Sequence, residues 1–359
     1  MGAPTLGQKI ANDDLRGYLS VNRIAEAVRR NDRRVNEVQT VADFSFMADL
    51  IDRGVMTGYM DEELPLTYPT IGYREDRKTF ETATDYGITS TRLFPNPIPE
   101  KGEYPPADPT IYHYDFKVHK YGFQWDLSWE AWLRDQRDLR LLARYPTSWG
   151  RSARYTDEYL FTLAWCANAG FFNGGNGNIG TATGPLTIGT LQTGVSVIRN
   201  MTDPSGNVSV YGGPLYLVVP PALEFTARTI CNSAKVVGSD FFGTGAPSPE
   251  LNPAYGAATV VVNPWLPVLD LTNGATAWYL FRSPNYADPA VVYGFLQGYE
   301  NPEIFVKDSD ARVLGTGVQD PFTGDFGHDD IAFKIRWTFG VGLGDFRGAY
   351  MDDGTALPD

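Results

Sequence analysis

Strict alternation of apolar and polar positions marks three stretches of the chain. Phe80, Thr82, Thr84, Tyr86 and Ile88 form one run, and Tyr112, Tyr114, Phe116 and Val118 alternate with His113, Asp115, Lys117 and His119 in a second. Period two over such lengths predicts strands with one covered face. The phase then slips to Tyr121, Phe123, Trp125 and Leu127, which predicts a bulge near His119–Tyr121. Between the two runs, Pro95–Pro109 holds six prolines. Proline fixes φ and lacks an N–H donor, so this tip cannot continue a ladder and is expected to stay extended and stiff. The unit reads as a long hairpin projecting from a body. A two-stranded ribbon is barely stable in water, so something must cover it. The third run, Ile331, Phe333, Ile335, Trp337, Phe339 and Val341, predicts a long half-buried strand with the hairpin as its expected partner.

Helical spacing takes over between these runs. Trp129, Trp132, Leu133, Leu139, Leu142 and Ala143 mark one amphipathic face, which Pro146 is expected to end. Thr147 or Ser148 is then a candidate N-cap for a second helix reaching about Phe172, with Trp149, Ala153, Leu160, Leu163, Ala164, Ala167 and Phe171 on its apolar face. At 1.5 Å per residue that is a rod of about 36 Å, long enough to be a spine. Further on, a helix is predicted over Leu186–Met201 and another from Pro220-Pro221 through Ala234. The continuous apolar runs Leu215–Val219, Thr259–Val262 and Ala277–Phe281 suit central strands covered on both faces. Residues 1–50 are polar, weakly apolar and carry the cluster Arg29, Arg30, Arg33 and Arg34, balanced by Glu26, Asp32 and Glu37. They read as an arm that orders on a neighbour.

Composition sharpens this picture. With 359 residues, 43% hydrophobic and 20% charged, the chain can bury a substantial core, and at about 150 residues per domain it suggests two domains or one with arms. A net charge of −13 argues against gripping nucleic acid by neutralising phosphates. Residues 1–160 carry 21 Lys+Arg and 25 Asp+Glu, whereas the remainder carries 9 and 18, so the first part is charge-dense and the second sparse and acidic. Two cysteines, Cys166 and Cys231, cannot build a disulfide scaffold and suit a reducing compartment. Neither a membrane span nor an N-terminal secretory leader is expected.

The chemistry-bearing motifs lead nowhere catalytic. Gly175–Gly180 spells GxGxxG, but a dinucleotide site needs a strand before it and a helix after it; here a helix precedes, so the segment reads as a flexible interdomain loop. His113 and His119 lie six apart on one strand. Asp325, His328, Asp329 and Asp330 could meet a cation, but a calcium loop's spacing is missing, and a polar turn before the last strand is the plainer reading. Cys166 is expected in the core, and the carboxylate pairs Glu62-Glu63 and Asp352-Asp353 fall in turns or the tail. No catalytic, cofactor-binding or metal residue is assigned.

The order of these elements resembles the major capsid protein of tailed bacteriophages, the Hong Kong 97-like fold. Val118–Leu133 resembles the end of that family's extended loop entering its helices, and Leu215–Arg228 a strand and helix of its axial domain. Trp278–Phe281, Val291–Gly298 and Pro302–Ile304 resemble later strands, and Ile331–Tyr350 the closing strand and return. The resemblance implies an α+β fold in four parts: an N-terminal arm (1–50); an extended β-hairpin loop (81–119); a peripheral domain with a long spine helix and long antiparallel strands (51–80, 120–180 and 328–345); and an axial domain with a central sheet flanked by helices (181–327 and 346–359). It implies a structural, non-enzymatic protein that joins copies of itself into hexamers and pentamers, in an icosahedral shell around double-stranded DNA. Portal, scaffolding and decoration proteins are its implied partners, the virion its place, and the bacterial host cytoplasm its site of assembly. Some relatives weld subunits through an extended-loop lysine. Lys101 is the candidate by position, but Glu100 and Glu103 favour its charged form, so a non-covalent shell is expected. An encapsulin-like compartment shell and an unrelated β-rich binding protein are the alternative classes.

Overall fold

The computed structural model describes residues 51–61, 65–89, 97–104, 110–128, 140–180, 184–202, 213–236, 250–285, 289–312 and 325–354, with the single positions 130 and 314. The predicted arm and the apolar face of Trp129–Leu139 lie outside them. Two compact units emerge, one from Met1–Met60, Phe123–Gly150 and Ile304–Ile335, the other from Asp61–Gly122, Arg151–Glu303 and Arg336–Asp359. The class is mixed α and β, as the sequence implies.

The second unit is organised by a four-stranded sheet in the order β13–β9–β5–β8, with β5 Leu215–Val219, β8 Thr259–Val262, β9 Trp278–Arg282 and β13 Ala349–Asp352. Successive side chains of a strand face opposite ways, and here both sides are buried. Leu215, Leu217, Val219, Trp278, Leu280 and Tyr350 meet Leu191 and Ile198 of helix α4 (Ile188–Asn200) and Ala227 and Ile230 of helix α5 (Glu224–Asn232). Val218, Tyr279, Phe281 and Met351 meet Phe161 and Trp165 of helix α3 (Arg140–Trp165). Each continuous apolar run is thus a strand between two cores. Thr187 caps α4 through a reciprocal pair with Thr190, as a capping box requires.

A second sheet carries strands in the order β1–β10–β12–β11, with β4 also paired to β12. These are β1 Tyr73–Arg74, β4 Val118–Ser128, β10 Val291–Gly294, β11 Glu303–Val306 and β12 Asp330–Leu343. The long alternating strand is therefore real, at 14 residues, and its hairpin-side partner is β4 rather than the ribbon strands themselves. The ribbon pairs β2 (Ala83–Thr89) with β3 (Thr110–Phe116), Ala83 opposite Phe116 and Thr89 opposite Thr110.

Several expectations need correction. Pro146 does not end a helix: α3 runs unbroken for 26 residues through it, and Thr147 and Ser148 lie inside rather than at a cap. An internal proline removes one hydrogen bond and costs about 3 kcal/mol in isolation. In the first unit it sits in a close helix crossing with the helix over 51–59, here α1. A Cβ on Gly54 would come within 2.9 Å of Pro146 Cβ, one on Gly58 would run into the Thr147 carbonyl, and one on Gly150 into the Val55 carbonyl. Glycines four apart let the two backbones touch, and that contact holds the proline turn. The helix also stops at Trp165, seven residues before the expected Phe172. Ala167 turns left-handed at φ 49°, and the Asn168 side chain donates to the Ala164 carbonyl at 2.9 Å. A one-residue gap at Lys117 separates β3 from β4, where Gly340 of β12 leaves room for the Lys117 carbonyl, and the inward phase slips between Val118 and Tyr121. Strand β2 begins at Ala83, leaving Phe80 exposed outside it. The proline-rich tip contains a turn, with Gly102 N–H donating to Pro99 O at 2.8 Å and Lys101 at φ 62°.

Candidate functional site

The base of the ribbon is bolted into the second unit. Phe116 and Val118 are fully buried and share a small cluster with Leu296. The Arg77 guanidinium lies 4.9 Å over the Phe116 ring and reaches Glu75 at 3.3 Å, while the Tyr114 hydroxyl donates to Glu75 at 3.5 Å. Burial and the Glu75 charge push Tyr114 up to about 12, so its proton stays on the oxygen. Residues Tyr73–Arg77 run parallel to Val292–Leu296, with Glu75 N–H donating to Tyr293 O and Arg77 N–H to Phe295 O, both at 2.8 Å. Beyond this base β2 and β3 pair with each other through to Thr89 and Thr110. The cover that the sequence calls for at Phe116 comes from the subunit itself.

A buried carboxylate ties three segments of the same unit together. Glu158 of α3 is fully buried and accepts from Thr67 N–H at 2.8 Å, Tyr68 N–H at 3.2 Å, the Thr67 hydroxyl and the Asn263 amide at 3.3 Å. The amides belong to the start of the short helix α2, Tyr68–Ile71, where unpaired N–H groups and a helix dipole favour an anion. Asn263, just after β8, also donates to the Thr162 hydroxyl at 2.8 Å. Burial pushes the Glu158 carboxyl above its ordinary value, and the bonds from Thr67, Tyr68 and Thr162 pull it back. Five donors and no reacting group make this a structural lock. Sequence reasoning missed it, because a helical glutamate carries no local sign of burial.

The Gly175–Gly180 segment is not a flexible loop. Asn173, Asn176 and Asn178 side chains bond the Ala169, Gly170, Phe171 and Phe346 carbonyls at 2.9–3.3 Å, the Asn178 carboxamide being fully buried. Gly180 N–H donates to Met351 O and Met351 N–H to Asn178 O, laying the segment along the outer edge of β13. Asparagine carboxamides that mimic backbone turns explain the composition. Beside it a polar groove of about 820 Å³ runs along the exposed face of α4, past Gln192, Ser196 and Asn200 to Arg347.

The remaining candidates are dispersed. His113 and His119 are exposed on β3 and β4. Asp325 caps a turn, accepting from His328 N–H at 2.8 Å and Asp330 N–H at 3.4 Å, and these bonds hold its carboxyl below the usual range. Among the described residues no group of three or more His, Cys, Asp or Glu side chains could hold a metal ion, and no helix is long and apolar enough to cross a membrane. Burial pushes the Cys166 and Cys231 thiols up to about 11, leaving both protonated at neutral pH. Cys166 packs against the core, as expected. Lys101 stands exposed in its turn.

The sequence profile described as phage capsid protein matches residues 114–351, well over half of the chain. The chain belongs to the phage capsid protein family. This capsid protein is similar in structure to the capsid of Myoviridae phage XM1, at TM-score 0.46 and 13% identity, covering 83% of this chain and 94% of that one. A chain of Gordonia phage Cozz gives TM-score 0.46 at 12% identity, covering 83% and 89%. A virus-like particle from Pyrococcus furiosus gives 0.41 at 12%, covering 85% and 98%. No curated protein matches the capsid protein by sequence. Membership assigns it a structural role in the virion shell, built by self-assembly.

Proposed function

We propose that this chain is the major head protein of a tailed bacteriophage, whose hexamers and pentamers close an icosahedral shell around double-stranded DNA. The observation that carries this reading is the capsid profile running from the ribbon strand β3 to the last strand β13. A ribbon anchored at its base, a 26-residue helix and a 14-residue strand are the parts such a subunit needs to reach its neighbours. On this reading residues 1–50 are the arm, 81–119 the extended loop, 51–80, 120–180 and 328–345 the peripheral domain, and 181–327 with 346–359 the axial domain. The −13 charge suits a wall that holds packed DNA without adhering to it. Portal, scaffolding and decoration proteins complete the particle, which assembles in the host cytoplasm without a membrane. The shell has no catalytic task, and its joints are non-covalent, since Lys101 stands open to solvent between Glu100 and Glu103 rather than in a buried pocket. Purifying the full chain and imaging it by negative stain tests the proposal. Shells or capsomers are expected. A monomer with a saturable small ligand would refute it, and particles filled with a cargo enzyme in place of DNA would make the chain a compartment shell.

A further inference from the structure

The two edges of the four-stranded sheet are treated differently. On the β13 side the chain itself lies along the edge, through Asn178–Gly180. On the other side β8, Thr259-Val-Val-Val262, is the last strand, and among the described residues no strand pairs its outer edge. Soluble proteins blunt such edges with lysine, proline or a bulge. Here Thr259–Val262 itself carries none of these, its neighbours Pro253, Pro264 and Pro267 lie outside the strand, and the chain around the edge is apolar. Before the strand, Leu251 is 82% and Tyr255 61% exposed; after it, Val268 is 56% and Leu271 90% exposed. Phe225, at 82%, stands on α5, the helix packed against β8. From Leu251 to Leu271 the one charged residue is Asp270, and its carboxylate already accepts from Thr272 N–H and Asn273 N–H at 3.0 Å each.

We infer that the β8 edge, with Tyr255, Val268 and Leu271 flanking it, is a contact surface for a second copy of this chain. The charge distribution selects that occupant. Copies carrying −13 each repel, so they approach most easily where charge is sparse, and Leu251–Leu271 carries Asp270 alone. Exposed apolar groups clustered on one side mark interaction sites. An open strand edge on one side and a sealed one on the other suit a heterologous, ring-closing contact, in which one face of a copy meets a different face of the next. The inference rests on the self-assembly proposed above.

The test compares the full wild-type chain with the double variant Tyr255→Lys/Leu271→Lys by sedimentation velocity and negative stain. Both side chains are largely exposed, so the variant should melt with the wild type. The association constant of the contact should fall about tenfold, a loss of about 1.4 kcal/mol, and the assembled fraction should drop with it. Hydrogen exchange supplies a second reading: amides of Val260–Val262 should slow on assembly of the wild type. A variant that assembles like the wild type, or amides that exchange equally in both states, overturns the edge contact alone. A wild-type chain that stays monomeric overturns it together with the shell.

Discussion

The four-stranded sheet is built from continuous apolar runs and the ribbon from alternating apolar and polar positions, and the two differ in what covers them. In β9, Trp278, Tyr279, Leu280 and Phe281 are all fully buried, because two helices cover one face and α3 the other. In the ribbon, Phe116 at the base is buried by the subunit itself, while Tyr114 beside it is only half-buried. Alternation in a strand declares that a face will be covered, but not by which chain. The sheet holds the subunit's stability, and on the proposed reading the ribbon serves the assembly.

The sharpest way to break this contrast is to empty the sheet. Phe281→Ala removes a ring that contacts Trp165 at 5.0 Å between centroids in the shared core. A loss of about 3–5 kcal/mol is expected, read as a lower denaturant midpoint with an unchanged slope. A loss under about 1 kcal/mol would mean that the sheet is not the stabilising element.

Next in size is the Glu158 lock. Glu158→Ala strands the Thr67 and Tyr68 amides and the Asn263 carboxamide in a buried site, at about 1–3 kcal/mol for each donor left unpaired. Glu158→Gln keeps an acceptor for the α2 amides and should recover much of the loss. Equal melting of the two variants would show that neither the acceptor nor the volume of the side chain holds the site.

These elements were unequally legible in the sequence. The runs at Leu215, Thr259 and Trp278 became strands because period and burial are local properties of the chain. Ile331–Val341 was legible for the same reason. Pro146 misled because a proline rule speaks of an isolated helix, whereas Gly54, Gly58 and Gly150 supply the tertiary contact that holds this one. The Asn173–Asn178 loop resembled a linker by composition, and its order comes from carboxamides whose partners lie up to 168 residues away. Glu158 left no trace at all: its donors come from Thr67 and Asn263, far off in sequence.

A smaller effect, of opposite sign, is expected at the end of β13. Asp352 is buried, and burial raises its carboxyl above the ordinary value, with the neighbouring Asp353 adding to the rise and bonds from Gly354 N–H and Tyr350 opposing it. A raised folded-state value means that the folded protein holds the proton more tightly than the unfolded chain does. That stabilisation is complete below the unfolded value of about 3.9 and is lost as pH climbs through the folded one. Asp352→Asn, neutral at every pH, keeps it. The variant should therefore gain on the wild type as pH rises from about 4 to about 7.5, and the two should converge at the acid end. Parallel curves would mean that the carboxyl titrates normally.

The smallest effect on the subunit itself should come from the ribbon tip, and it separates the two regions most cleanly. Deleting Asn96–Asp108 removes the proline-rich end but leaves the base, where Phe116, Val118, Arg77 and Glu75 are engaged. Residues 97–101, 103 and 104 are solvent-exposed in the subunit, with Tyr104 80% so, which leaves little buried surface to lose. The melting midpoint should stay within the range of ordinary surface changes, about 0.5 kcal/mol. Assembly should fail nonetheless, because a ribbon that no longer reaches a neighbour cannot contribute to the interface, where a few buried aromatics typically carry about 2 kcal/mol or more each. Calorimetry and negative stain on the same preparation decide it. A deletion that destabilises the subunit would make the tip part of the fold, and one that closes normal shells would remove the ribbon from assembly altogether.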